Sequence, residues 1–179
     1  ARMAESIALP PARISIGVTG HRRSNAAFAA NEPAIAEAMI RIFDAAERVT
    51  AGHGDAAGAT RLYTLLAHGA DMMAMNMGFA RNWEVIAPLP FGFDLNVAIS
   101  AEPRTAEAAR ALLAGKDCSE PQATEMARNT RAAGARSQLF ELAEQDAAVS
   151  QSFLSALEYA DDATAQQHLS TLIAERVAA

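Results

Sequence analysis

The stretch that decides the fold is R-I-S-I-G-V-T-G-H-R-R, from Arg13 to Arg23. Within it, Ile14, Ile16 and Val18 are β-branched and alternate with small residues. This pattern is typical of a strand that is buried on both faces of a parallel sheet. The sequence therefore predicts a central strand here, and the remaining elements can be placed around it.

Glycine and polar residues follow this strand at once. Because glycine has no Cβ, Gly17 and Gly20 would let a ligand approach the main chain, and a turn of this kind can present amide N–H groups to an anion. The side chains of Thr19, His21 and Arg22 adjoin these glycines. We predict that these five residues bind a phosphate-bearing ligand. The alternative is a tight strand-to-loop turn with solvated side chains.

Composition limits the class of protein. The chain has 179 residues, of which 51% are apolar and 20% charged, so a single globular domain is expected. A net charge of −6 argues against broad binding to nucleic acid. The lone Cys118 and the lack of a long apolar run predict a cytoplasmic protein that does not bind membranes. We expect residues 1–12 to be a disordered leader and residues 13–179 one domain, with the helical segment 101–136 as a candidate insertion.

Strand and helix patterns alternate along the chain. The first predicted helix begins near Pro33 after a polar connection, and the segment Phe91–Ser100 is expected to be a loop. Further strands are predicted at 61–68, 83–87 and 137–142, and further helices at 72–81, 103–114, 121–133, 144–159 and 162–178. Such alternation predicts an α/β protein, specifically a Rossmann-like three-layer α/β/α sandwich with a mainly parallel sheet.

Ligands of open α/β sheets bind beyond the carboxyl ends of the strands. This rule adds Gly69, Ala70 and Asp71 after the second strand, and Pro90 and Phe91 after the third, to the predicted ligand-binding residues. Asp71 would cap the following helix, accept a hydrogen bond from a ribose hydroxyl, or do both. Phe91 would stack on a base or, alternatively, cover the core. The fragment with His53 and Asp55 precedes a strand, so we place it at the opposite edge.

Several well-known motifs are missing from the sequence. The turn Gly17–Gly20 lacks the third glycine of a dinucleotide fingerprint, and His68 stands where NAD binding needs an acidic residue. There is no Walker motif, no G-x-S-x-G elbow and no Cys/His metal array. We therefore expect no NAD or ATP chemistry, no cofactor and no metal.

Three segments at the predicted binding edge resemble a known group. I-G-V-T-G-H-R at Ile16–Arg22, L-L-A-H-G-A-D at Leu65–Asp71 and W-E-V-I-A-P-L-P-F at Trp83–Phe91 are similar to the SLOG superfamily. That group includes LOG-type phosphoribohydrolases, YpsA-like proteins and the Rossmann domain of the DNA-processing protein DprA. The resemblance implies a Rossmann-like domain that binds a nucleotide or nucleotide-derived ligand. It also implies that Gly17, Thr19, Gly20 and His21 hold phosphate and that Gly69 and Asp71 meet the sugar.

The chain also departs from that group. Members that cleave a nucleotide's N-glycosidic bond carry a later P-G-G-x-G-T-x-x-E segment, which nothing in Leu95–Ala179 matches. Either the sheet is truncated at the C-terminus because this chain is the front part of a longer protein, which we favour, or the site is degenerate.

The expected function follows from the resemblance and this departure. We expect a sensor or ligand-binding module for a nucleotide-like small molecule. The alternatives are a nucleosidase completed by residues outside this chain and, least favoured, a DprA-like binder of single-stranded DNA. An unpaired edge strand and the methionine-rich stretch Met72–Met77 suggest self-association as a homo-oligomer.

Overall fold

The computed structural model describes residues 13–52, 60–142, 146–160 and 162–178. The predicted leader and the fragment with His53 and Asp55 lie outside these ranges. In chain order the described elements are β1 (Ser15–Gly17), α1 (Ala26–Ala51), β2 (Arg61–Tyr63), α2 (Ala70–Ala80), β3 (Glu84–Leu89), α3 (Phe93–Ser100), α4 (Ala106–Leu113), α5 (Pro121–Gly134), β4 (Gln138–Glu141), α6 (Asp146–Glu158) and α7 (Ala163–Ala178).

The four strands form one parallel sheet in the order β1-β2-β3-β4. Ile16 is paired with Leu62, which is paired with Val85, and Ala87 is paired with Leu139. The predicted class, a Rossmann-like α/β fold with a parallel sheet, is confirmed. Because parallel strands all end at the same edge, the segments that follow β1, β2 and β3 lie at one edge of the sheet, as predicted.

Helices cover one face of this sheet, which we call the packed face. Its strand residues are Leu62, Val85, Ala87 and Leu89, and they form one hydrophobic cluster with residues of α1, α2 and α5. The helix residues of the cluster are Met39, Phe43, Ala74, Met75 and Ala133. These three helices are therefore held against the packed face by burial of apolar surface, the dominant favourable contribution to folding.

The opposite face of the sheet is exposed in the described part of the chain. Successive strand residues point to opposite faces, so Gly17, Tyr63, Pro88 and Phe140 share this face, and all four are exposed. Phe140 is 61% exposed. Ile86 on the same face is buried, yet it belongs to neither of the two hydrophobic clusters that the described residues form.

The burial predicted for β1 is wrong. Ser15 and Gly17 are exposed, and Ile16 is only half-buried. The physical reason is position in the sheet, because β1 is an edge strand that pairs with β2 alone among the described strands. Alternation of β-branched residues predicted a strand correctly, but it does not distinguish a central strand from an edge strand.

A second hydrophobic cluster joins the helices that follow β3. Residues of α3, such as Leu95 and Val97, pack in it with Leu112 of α4, Ala127 of α5 and Phe153 of α6. Helix α7 buries no residue fully and packs on this cluster through Leu169, Leu172 and Ile173. In the described ranges no helix has the length and apolar content needed to cross a bilayer.

Two predictions about helices are wrong. Helix α1 begins at Ala26 because the side chain of Asn25 accepts a hydrogen bond from the N–H of Phe28 (3.0 Å), so Pro33 lies inside the helix and not at its start. The predicted loop Phe91–Ser100 is mostly α3. In addition, β2 ends at Tyr63, five residues earlier than the predicted strand.

Candidate functional site

The segments that follow β1 and β2 are joined by main-chain hydrogen bonds. The N–H of Arg23 donates to the carbonyl oxygen of His68 (2.9 Å), and the N–H of Ala70 donates to that of His21 (3.2 Å). These two bonds form an antiparallel bridge between Arg22 and Gly69. The turn after β1 therefore lies directly on the first turn of α2.

Two glycines make this close approach possible. Gly69 has a φ of +138°, and a Cβ placed there would lie 2.2 Å from the carbonyl oxygen of His21. A Cβ on Gly20 would lie 2.7 Å from the Cβ of Ala70. Both glycines are thus required for contact between the turn and α2. A Cβ on Gly17, by contrast, would meet no atom of the described residues within 4 Å.

The side chains of the predicted anion-binding turn differ in accessibility. Thr19, Gly20 and His21 are exposed at the edge of the sheet, where a ligand can reach them. Arg22 is half-buried, and its Nη1 donates to the carbonyl oxygen of Ile99 (2.9 Å) and to Oε1 of Glu102 (3.4 Å). Its guanidinium group therefore anchors the turn to the connection between α3 and α4.

Asp71 is buried beneath this turn. The residue is only 3% exposed, and its Oδ1 has no hydrogen-bond partner among the described residues. Burial raises the pKa of this carboxyl to about 7, although the N–H of Gly20 and the charge of Arg22 oppose the shift. The predicted capping role is wrong, because Gly69 is the N-cap of α2 and no side chain makes a capping bond there. At neutral pH much of the carboxyl is protonated and able to donate a hydrogen bond.

His68 connects this edge of the sheet to α5. Its Nε2 lies 2.9 Å from the carbonyl oxygen of Met126 and 3.0 Å from Oγ1 of Thr130. Burial lowers the pKa of the imidazole, while the Met126 carbonyl opposes that shift. The neutral ring can donate from Nε2 to this carbonyl, so His68 fixes the position of α5 over the end of β2.

The residues that follow β3 contact other parts of the protein. Phe91 is 2% exposed and lies in the second hydrophobic cluster, which corresponds to the core-covering alternative for this aromatic ring. The carbonyl oxygen of Pro90 accepts a hydrogen bond from Nε of Arg176 (2.9 Å). The next N–H groups, of Gly92 and Phe93, donate to the carboxylates of Asp146 and Glu141 (2.9 and 3.1 Å). The Phe91 ring and these main-chain groups are thus engaged in contacts within the protein.

Two cavities flank Arg23. The larger cavity has a volume of about 760 Å³ and runs along α2 between α1 and α5. Its lining includes Arg23, His68, Gly69, Met72, Met73, Asn76, Met77 and Asn129. The smaller cavity has a volume of about 530 Å³, and its lining includes Arg23, Ser24, Glu102, Arg104, Ser119, Glu120 and Gln122. Of the ten residues predicted to bind a ligand, Gly69 alone lines one of these two cavities.

Sequence reasoning did not assign the cavity residues Met73, Asn76, Met77 and Arg104 to a binding site. Met73, Asn76 and Met77 follow helical spacing, which places them on one face of α2, so their grouping was detectable in the sequence. Arg104 had no such signal, because it reaches the site only through packing of α3, α4 and α5. In the described ranges no group of three His, Cys, Asp or Glu residues could hold a metal ion.

Comparison with known proteins yields no family model, no curated protein and no solved structure that matches this chain.

Proposed function

We propose that this protein binds a nucleotide or nucleotide-derived small molecule at the carboxyl edge of its sheet, as a sensor or ligand-binding module. The observation that carries the proposal is Asp71. One oxygen of its buried carboxyl has no partner among the described residues, and the carboxyl lies under the exposed turn Thr19–His21. Leaving a buried polar group unpaired costs about 1–3 kcal/mol, and groups of this kind with shifted pKa values cluster at functional sites.

The protonation of Asp71 suits an anionic ligand. An ionised carboxylate at this position would repel a nearby phosphate, but a protonated carboxyl does not, and it can donate a hydrogen bond to a sugar hydroxyl. Burial holds the pKa of Asp71 near 7, so a substantial part of the carboxyl is protonated at neutral pH. The exposed main chain at Thr19 and Gly20 is available to the same ligand.

The larger cavity suits a flat, partly polar ring system. Its volume of about 760 Å³ is within the usual range of small-molecule sites, about 300–1,000 Å³. Met72, Met73 and Met77 offer polarisable thioethers to the face of a heterocycle. The amide groups of Asn76 and Asn129 offer donors and acceptors to its edge.

The proposal is tested by titrating the intact chain with nucleosides and with their mono- and diphosphates. We expect one or more nucleotides to raise the melting temperature and to give a saturating heat signal in calorimetry. Asn129→Ala, an exposed residue of the larger cavity, should weaken this binding. The matched control is Asn31→Ala on the exposed side of α1, which should bind as the wild type does. If no compound in the panel raises the melting temperature, the proposed function is wrong.

A second candidate function is hydrolysis of an N-glycosidic bond, completed by residues outside this chain. Its candidate general acid is Asp71, whose carboxyl lies beneath the exposed turn Thr19–His21 and whose pKa is raised by burial to about 7. Asp94, the other candidate at this edge, is less suitable because its Oδ1 is paired with Nη1 of Arg131 (2.7 Å). Release of free base from a nucleoside monophosphate would support an enzyme if Asp71→Asn abolishes that release. Binding of the nucleotide without release of base would support a ligand-binding module and contradict the enzyme.

A further inference from the structure

We infer that the smaller cavity binds the phosphate group of the ligand and that Arg104 is the residue that recognises it. This inference rests on the proposed function and adds to it a second cavity and a residue from the α3–α4 connection. Arg104 lies outside the three segments that resemble the SLOG superfamily, Ile16–Arg22, Leu65–Asp71 and Trp83–Phe91.

Three separate segments form the walls of the smaller cavity. Arg23 and Ser24 come from the turn after β1, Ala101–Arg104 from the connection between α3 and α4, and Ser119–Ala123 from the start of α5. Two glutamates hold these walls together, one at each junction. The cavity is therefore formed before any ligand binds, which reduces the entropy lost on binding.

Glu102 holds the first junction. Its Oε1 accepts hydrogen bonds from Oγ of Ser24 (3.0 Å) and from Nη1 of Arg22 (3.4 Å). Its main chain has a φ of +51°, in the left-handed region that residues other than glycine rarely adopt. Such strain costs about 1–3 kcal/mol and is found mainly where a site requires it.

Glu120 holds the second junction. Its carboxylate accepts hydrogen bonds from the N–H groups of Arg104 (2.8 Å) and Thr105 (3.0 Å) and from Oγ1 of Thr105 (2.9 Å). Both acidic side chains of the cavity are thus engaged with donors in its walls. Their negative charge is offset locally, and they do not pair with the guanidinium group of Arg104.

That guanidinium group is available to a ligand. Among the described residues it has no ion pair and no hydrogen-bond partner, since Arg104 contacts Glu120 through its main chain alone. Arg23, 70% exposed, adds a second guanidinium group that is paired with Glu32 at 3.4 Å. A guanidinium group matches two oxygens of a phosphate at once, so the chemistry of the cavity favours a phosphoryl group.

Arg23 lines both cavities, so they adjoin at this residue, and we place one ligand across both. The heterocycle of a nucleotide would lie in the larger cavity on the methionines of α2. Its phosphate would lie in the smaller cavity at Arg104. This arrangement predicts that a nucleoside monophosphate binds more tightly than its nucleoside and that Arg104 accounts for the difference.

The experiment compares the wild type with Arg104→Gln and with the control Arg128→Gln. Arg128 lies on α5, lines neither cavity and is paired with Asp117 on the surface, so both variants lose one exposed positive charge. Calorimetry measures affinity for a nucleoside monophosphate and for its nucleoside. We expect Arg104→Gln to reduce the affinity for the monophosphate about ten- to hundredfold and to leave the affinity for the nucleoside unchanged. Equal melting temperatures of the free proteins would verify that both variants fold.

A parallel titration with inorganic phosphate, followed by main-chain NMR signals, separates this inference from the proposed function. Equal monophosphate affinity in both variants would overturn the role of Arg104 and leave the proposed function standing. A second outcome is that no nucleotide binds, while inorganic phosphate shifts the signals of Arg104 and Gln122 and Arg104→Gln abolishes these shifts. This outcome would support the anion site and contradict the proposed function. Absence of both effects would overturn both.

Discussion

The guanidinium group of Arg22 donates a hydrogen bond to the main-chain carbonyl of Ile99, with 2.9 Å between Nη1 and the oxygen. The two residues are 77 positions apart, and Glu102 accepts a second bond from the same Nη1. Arg22 was expected to contact a ligand, and the structure gives it a structural contact as well. This single side chain connects the turn after β1 to the connection between α3 and α4.

Replacing Arg22 should therefore reduce stability. Arg22→Ala removes two charge-assisted contacts of a half-buried group, so the free energy of unfolding should fall by about 1–2 kcal/mol. Arg23→Ala, which removes a side chain that is 70% exposed, should change it by less than about 0.5 kcal/mol. Urea titrations of both variants give these values. Equal losses in the two variants would contradict the anchoring role of Arg22.

Gly69 should tolerate no side chain. Gly69→Ala forces a positive φ on alanine and places its Cβ 2.2 Å from the carbonyl oxygen of His21, so we expect a loss of about 3 kcal/mol or more. Gly17→Ala is the matched control, because a Cβ there meets nothing within 4 Å. Thermal unfolding should separate the two variants clearly. A melting temperature of Gly69→Ala equal to that of Gly17→Ala would show that the Arg22–Gly69 bridge is not formed in solution.

Asp71 should make stability depend on pH. Its pKa is about 7 in the folded protein against 3.8 for the free group, so the folded state holds a proton that the unfolded state releases between these values. The contribution of Asp71 to the free energy of unfolding therefore falls as pH rises and levels off above pH 7. Between pH 5 and pH 8 the free energy of unfolding of the wild type should fall by about 3 kcal/mol more than that of Asp71→Asn. Urea titrations at both pH values test this, and parallel behaviour of the two proteins would contradict it.

Phe91 should matter for stability through its packing. Phe91→Ala removes a ring that is 2% exposed from the second hydrophobic cluster, at an expected cost of about 3–5 kcal/mol. Phe140→Ala removes a ring that is 61% exposed on the unpacked side of the sheet and should cost less than about 1 kcal/mol. Chemical denaturation of both variants gives the comparison. A small loss in Phe91→Ala would place this ring outside the core.

Local patterns predicted the class of fold and the edge of the sheet at which a site would lie. The alternation of apolar strands and helices was sufficient for the parallel sheet, and even the short strand at Gln138–Glu141 was anticipated. The start of α1 was missed because the cap formed by Asn25 outweighs the usual preference of proline for a first turn. The apolar residues after Gly92 were assigned to a loop, although Leu95, Val97 and Ile99 bury α3 in the second cluster.

The site was predictable only in part. Thr19, Gly20 and His21 are exposed at the expected edge, since that placement follows from parallel strands. The partners of Arg22 and the unpaired oxygen of Asp71 depend on contacts between distant segments, which no local pattern encodes. The same holds for Arg104, which the packing of three helices brings to the site.

The order of the strands has a consequence for how a ligand can be enclosed. Doubly wound proteins bind in a crevice where consecutive crossover connections leave in opposite directions and the strand order reverses. In the described sheet the strand order is β1-β2-β3-β4, with no reversal. Consecutive connections between the described strands therefore leave in the same direction, and no crevice opens between them. Enclosure of the proposed ligand would depend instead on the long helical connection between β3 and β4, Phe93–Gly134, which contributes most of the lining of the smaller cavity.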